Sequence, residues 1–316
     1  MNYRTYPLRL ALVFLVASLL SCFRTPALAA ELTNLHEFVG LESPDQNSTF
    51  LLGPDGKFYG WTGNTGTNGQ SVLWRIGKDG TGYELLHTFS PLSGINESPN
   101  GLLYSSDGML YGTANDQQSA GLIFQVSPSG DNYQMLKHFD LATDQTQAPY
   151  GLIELTNGLL CGVSCPGCGS GTLYTLAKGQ TAINVLHRFP TGPTDGHNAT
   201  GLLLQGPDAR LYGITASDNT YMGTVYRINV DGSGYEIIHR FAGSGQGSFP
   251  DNGLTYAADG FLYGQAQLGG INNAGGAFRL LLDGGGYQFI QGTSGTCQWY
   301  RGIVEGPDGY LYSATT

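Results

Sequence analysis

The chain repeats itself with a period of about fifty-one residues, and this restricts its possible folds more than any other feature. The phenylalanines that close "LHEF", "LLHTF", "LKHF", "LHRF" and "IHRF" are Phe38, Phe89, Phe139, Phe189 and Phe241, at steps of 51, 50, 50 and 52. A sixth copy has decayed to "FIQGT", with Thr293 in the phenylalanine slot. A second phrase runs in phase with the first. It reads "DGKFYG" (55–60), "DGMLYG" (107–112), "NGLLCG" (157–162), "DARLYG" (208–213), "DGFLYG" (259–264) and "DGYLYS" (308–313). A repeat of this length is one supersecondary unit. It cannot cover its own apolar faces and must stack on its neighbours to bury them.

Each unit holds four short apolar runs separated by turn signals; in the clearest copy they are "GLTYAA", "GFLYGQA", "AFRLLL" and "YQFIQG". Asp-Gly between the first two runs and Gly-rich turns between the last two mark tight hairpins. No unit carries a useful helical period. Four antiparallel strands recurring at this spacing predict an all-β chain, a six-bladed β-propeller of four-stranded antiparallel blades. The "GLLY"-type and "LHxF"-type strands each occur six times and the "VYRI"-type strand five times. The first outer strand, 32–38, stands alone at the N-terminal side. It is expected to join the C-terminal blade and close the ring, protecting the sheet edges. That last blade is one strand short, so either a C-terminal continuation or a short sixth blade is expected.

Residues 1–29 read as a signal peptide. Arg4 and Arg9 precede the apolar run "LALVFLVASLLSCF", and Ala27 and Ala29 form a small-x-small cleavage site. A lipoprotein reading, with Cys22 of "LLSC" as the acylated residue, is the alternative. Residues 30–316 are then a single propeller domain. Removing Arg4, Arg9 and Arg24 from the 14 basic residues leaves 11 against 24 acidic side chains. That balance argues against nucleic acid and anionic membrane as partners. No later stretch is apolar over the length of a membrane span. Charged residues make up only 12% of the chain, while 49 of its 316 positions are glycine, as short strands joined by tight turns require.

The set "DGxLYG", "GTVYRINVDG" and "LHxF" resembles the GloVer (Gloeo/Verruco-type) tandem repeat of exported bacterial proteins, from about residue 32 to 316. The resemblance implies an exported, propeller-like protein of a family with no established activity. Strand order is more loosely similar to the propellers of the NHL, gluconolactonase and streptogramin-lyase kinds.

Chemistry-bearing residues are few. His36, His87, His187 and His239 share one repeat position. Equivalent positions on outer strands are too far apart to ligate one metal, so each is expected to hydrogen-bond within its own blade, and no metal site is assigned. Cys165 and Cys168 in "CPGC" are a candidate disulfide in an oxidising compartment. The long inter-blade loops are expected to gather Asp195, His197, Asp251, Trp299, Tyr300 and Arg301 on one face. Aromatics beside amides and acids suit a glycan, peptide or protein partner, and the acids leave Ca²⁺ open as a cofactor. Glu154 and Glu305 occupy one slot of the innermost strand in blades three and six. They point either to a channel, as the carboxylates of a metal-assisted hydrolase or lyase, or between blades, where a tyrosine hydroxyl would partner each. The expected function is therefore a non-catalytic binding module, secreted, periplasmic or at the cell surface, with a channel enzyme or a purely structural surface protein as alternatives.

Overall fold

The computed structural model describes residues 50–62, 71–89, 98–115, 121–144, 148–164, 171–189, 196–217, 222–270, 273–291 and 302–313. They form a succession of antiparallel sheets. The first sheet runs β1 (Leu51–Leu52), β2 (Lys57–Trp61), β3 (Val72–Gly77) and β4 (Glu84–Thr88). The second runs β5 (Ser98–Tyr104), β6 (Leu110–Asn115), β7 (Leu122–Val126) and β8 (Gln134–His138), followed by the single helical turn α1 (Leu141–Asp144). The third comprises β9 (Pro149–Glu154), β10 (Leu160–Ser164), β11 (Gly171–Leu176) and β12 (Ile183–Phe189).

The fourth sheet comprises β13 (His197–Gln205), β14 (Leu211–Ser217), β15 (Thr224–Ile228) and β16 (Glu236–Arg240). The fifth comprises β17 (Ser248–Tyr256), β18 (Leu262–Leu268), β19 (Gly276–Leu280) and β20 (Gln288–Gln291). One parallel contact, Leu202 to Gly253, joins their first strands into an eight-stranded array. A sixth sheet shows β21 (Val304–Glu305) and β22 (Leu311–Tyr312). The four-stranded antiparallel repeat anticipated from the period is thus present. Two compact units divide the chain between Arg188 and Phe189. The strand expected over 32–38 lies outside the described residues.

The "DGxLYG" phrase is explained by its hydrogen bonds. The aspartate accepts from the backbone N–H two residues on, as Asp55 does from Lys57 at 3.2 Å and Asp107 from Met109 at 3.1 Å. Its other carboxylate oxygen accepts from the tyrosine hydroxyl four residues on: Asp55–Tyr59 at 2.8 Å, Asp107–Tyr111 at 2.9 Å, Asp208–Tyr212 at 2.8 Å and Asp259–Tyr263 at 2.6 Å. The tyrosine ring is buried, and its one polar atom is satisfied by the turn it helps to hold. Burial, with the neighbouring Asp259, pushes the Tyr263 phenol up to about 12. In the third sheet both partners are replaced together. Asn157 keeps the turn bond to Leu159 N–H, and Cys161 fills the tyrosine position. Burial pushes the Cys161 thiol up to about 12, which makes it an inert packing residue.

The glycine that ends the phrase has a separate cause. In every complete sheet it lies opposite the aromatic of the third strand: Gly60–Trp74, Gly112–Phe124, Gly162–Tyr174, Gly213–Tyr226 and Gly264–Phe278. A Cβ at Gly112 would stand 2.2 Å from the Phe124 ring. The ring lies across the backbone of the second strand, where only glycine leaves room.

Neighbouring sheets meet along a seam that is written twice. Between the first and second sheets, Phe89 packs edge-on against Phe124 with centroids 5.3 Å apart, and Arg75 Nη1 donates to Pro128 O at 2.6 Å. Between the fourth and fifth, Phe241 meets Phe278 at 5.0 Å, and Arg227 Nη1 donates to Leu282 O at 3.0 Å. Inner strands approach backbone to backbone: a Cβ on Gly101 would stand 2.4 Å from Gly151 Cα. The sequence thus encodes a seam as well as a sheet.

Two histidines correct the expectation of bonding within one sheet. His87 stacks on Tyr133 of the next sheet at 3.8 Å, and His239 stacks on Tyr287 at 3.7 Å. The Nε2 of His239 is buried without a hydrogen-bond partner, and burial lowers its pKa to about 4. A neutral imidazole ring fits an aromatic stack with little desolvation penalty, whereas a cation would not. In these two copies the histidine is a seam residue.

Candidate ligand-binding face

Each sheet has two ends. At one end lie the short Asp-Gly turns; at the other, the second strand ends, the third begins and the first strand of the next unit enters. Buried polar side chains concentrate at this second end, which we call the loop end. They include Thr62, Ser71, Ser164, Thr172, Thr215 and Thr224. Several staple the hairpin mouth. Thr62 Oγ1 accepts from Val72 N–H at 3.1 Å, Thr215 and Thr224 hydroxyls meet at 2.7 Å, and Ser164 donates to Thr172 O at 3.3 Å. A hydroxyl here satisfies backbone groups that the strand ladder leaves open as the strands diverge. In each of these sheets the buried hydroxyls fix the mouth of the second hairpin.

His197 and Asp251 lie at this end, but in strands rather than in loops. His197 opens β13 opposite Ser217, and Asp251 lies in β17 opposite Gln265. The first strands continue past a register shift, between Thr200 and Leu204 in one case and between Asp251 and Thr255 in the other. That irregularity interrupts the apolar alternation by which strands are recognised. His197 is only 9% exposed. Asp251 accepts from Gln267 Nε2 at 2.9 Å and from Asn252 N–H at 2.8 Å. Asp195, Trp299, Tyr300, Arg301, Cys165 and Cys168 lie outside the described residues.

Glu154 and Glu305 are placed at the turn end. Glu154 closes β9 opposite Leu160, five residues from Pro149 at the loop end, a separation of roughly 17 Å along the strand. It bridges two sheets. Ser105 Oγ donates to Oε2 at 2.9 Å, Ser106 N–H to Oε2 at 2.7 Å, Ser106 Oγ to Oε1 at 2.5 Å, and Lys178 Nζ to Oε1 at 2.5 Å. Burial alone would raise its pKa, but Lys178, Ser106 and Ser105 outweigh burial and hold it at about 2. Glu305 accepts from Ala258 N–H at 2.9 Å, again across a seam. The partners are serine, lysine and backbone, not tyrosine, whose hydroxyls are taken by the Asp-Gly turns. Glu154, engaged by four hydrogen bonds, is a cross-link, and at that pKa it has little proton affinity to offer catalysis. Among the described residues no three His, Cys, Asp or Glu side chains converge as a metal site.

The Gloeobacter/Verrucomicrobia repeat matches residues 98–316. No curated protein sequence matches the chain. Among solved structures, a luciferin-regenerating enzyme superposes with a TM-score of 0.51 at 12% identity, over 77% of this chain and 78% of that one. A prolyl endopeptidase superposes with a TM-score of 0.53 at 13% identity, over 84% of this chain but 38% of that one. Identities this low establish a shared propeller-like fold and nothing about chemistry. Among the described residues no helix is long and apolar enough to cross a membrane.

Proposed function

Since the chain belongs to the Gloeobacter/Verrucomicrobia repeat family, we propose that it is an exported, non-catalytic binding module whose repeat propeller presents its loop end to a saccharide. The observation that carries this reading is the separation of roles between the two ends. Of the two candidate carboxylates at the turn end, Glu154 is spent on a seam and Glu305 accepts a backbone N–H across another. The loop end, where buried hydroxyls fix the hairpin mouths, is the end at which loops on a scaffold are placed to act. Export is supported by the N-terminal "RLALVFLVASLLSC" and "ALAA" pattern, with cleavage after Ala29. Trp299 and Tyr300 supply the apolar faces on which a sugar ring stacks, and Asp195, His197 and Asp251 supply hydrogen bonds. Closure is part of the proposal: strand 32–38 completes the sixth sheet and makes a ring of six.

Screening residues 30–316 on a glycan array, followed by calorimetry, tests the binding reading. Saturable binding is expected, weakened about tenfold or more by Trp299→Ala or His197→Ala and unchanged by Glu305→Gln. Binding lost on Glu305→Gln but kept in the loop-end variants would overturn it, as would turnover of a bound glycan. So would a protein that takes no saccharide at all.

A further inference from the structure

Two seams carry the same aromatic stack on their outer strands, one in each compact unit. The imidazole of His87 lies parallel to the Tyr133 ring, with centroids 3.8 Å apart and planes at 10°. His239 and Tyr287 repeat the arrangement at 3.7 Å and 11°. Each imidazole also meets the seam phenylalanine edge-on, Phe89 at 5.0 Å and Phe241 at 4.9 Å. Those phenylalanines pack in turn on Phe124 and Phe278 of the next sheet. The histidine therefore sits at the outer end of a continuous run of seam aromatics.

The seam between the second and third sheets is written differently. Lys137 takes the position of His87 and His239, and Ile183 takes that of Tyr133 and Tyr287. The two positions are exchanged together. Lys137 pairs with Asp144 at 2.8 Å and lies 5.8 Å from the centre of the Phe139 ring. Where the tyrosine is present its partner can gain a charge; where it is absent the partner is a lysine with its own carboxylate.

Across the ladder from the two histidines lie Leu73 and Val225. From the next sheet come Tyr133 and Tyr287, the latter donating its hydroxyl to Gln246 O. Glu84 and Glu236, earlier on the same strands, are held by Arg75 and Arg227, and Arg240 follows His239 on the opposite face. Among the described residues burial is the only cause acting on either imidazole, and it lowers the pKa of both, to about 4 for His239. Protonation adds a charge and a second N–H. A tyrosine face attracts a cation, but Nε2 of His239 is closed to solvent and has no acceptor.

We infer that the stacked histidines are an acid release: protonation drives His87 and His239 out of their stacks and loosens the first–second and fourth–fifth seams from their outer strands inward, while the second–third seam stays closed. The sheets keep their backbone ladders, and what acid exposes is the apolar seam. The fold holds the neutral ring, so the His239 contribution is complete above about pH 6.5 and is lost as the pH falls from there through 4. This device is independent of the saccharide-binding reading.

The test compares residues 30–316 with the same chain carrying His87→Phe and His239→Phe, which keep a ring in each stack and remove the titrating group. Thermal unfolding and binding of the dye ANS are followed from pH 7.0 to 4.5. The wild-type midpoint is expected to fall by about 4 °C or more over that range, with a severalfold rise in ANS fluorescence at the acid end. The variant should fall less than half as far and bind no additional dye. Equal falls in the two proteins overturn the inference, as does a wild type whose midpoint and dye binding stay level. Should the variant fail to fold, proton NMR of the wild-type imidazole Hε1 resonances decides. Two histidines are expected to titrate well below the ordinary 6.5, and titration of every histidine near that value overturns the inference.

Discussion

Gly101→Ala lowers the unfolding midpoint by about 6 °C or more, corresponding to about 3 kcal/mol. The added methyl carbon would stand 2.4 Å from Gly151 Cα and 3.1 Å from Gly151 N, both backbone atoms of the next sheet. A side chain can rotate away from such a contact; a strand held in its ladder on the other side cannot. The backbone at Gly101 is not left-handed, so the loss reports the close approach of two strands and not the conformational freedom of glycine. Gly245→Ala is the control. A Cβ there meets nothing within 4 Å, and its midpoint should move by less than about 1 °C. Thermal unfolding by circular dichroism separates the two. Equal effects would mean that the seam between the second and third sheets is looser than its geometry.

Glu154→Ala is expected to cost about 2–4 kcal/mol, because it strips four hydrogen bonds at once and leaves Lys178 half-buried beside two serine hydroxyls. The pH dependence separates this from a packing loss. Glu154 has a depressed folded pKa of about 2 against an ordinary 4.5. Its contribution is therefore complete above about pH 4.5 and disappears as the pH falls from there through 2. The difference in midpoint between wild type and Glu154→Gln should be constant from pH 5 to 7 and shrink below pH 4.5. A difference that persists undiminished at pH 2 would show that the carboxylate charge is not what joins the sheets. The channel-enzyme alternative makes the opposite demand on this residue, a carboxylate free to meet a metal or a proton.

Much of the architecture was legible in the sequence because a repeat displays its constraints several times over. "DGxLYG" could be assigned to a turn and second strand from Asp-Gly and alternation alone. Its chemistry, a tyrosine hydroxyl closing onto its own turn, became clear only with Asp55–Tyr59 and its equivalents in place. The joint replacement by Asn157 and Cys161 was visible in the sequence and would have disclosed that pairing, since a buried tyrosine without its acceptor is costly. His87 and His239 depart from the expectation for a general reason. Periodicity reports which residues are equivalent within a unit, not which neighbour they face, and His87 and His239 face the next sheet. The same blindness hid the role of Glu154, whose partners lie 48 or 49 residues away in the second sheet and 24 residues away in its own.

At the loop end the sequence was least informative, since turn-forming residues and ligand-binding residues are the same types. His197 and Asp251 read as loop residues because the register shifts in β13 and β17 break the alternation that marks a strand.

Amide hydrogen exchange on two chains, residues 30–316 and residues 50–316, tests the six-sheet ring most directly. If strand 32–38 completes the sixth sheet, the amides of 302–313 are protected in the longer chain and lose about tenfold or more of that protection in the shorter one. Those of the second sheet, 98–138, should stay nearly unchanged. Equal protection of 302–313 in both chains would contradict closure by the N-terminal strand.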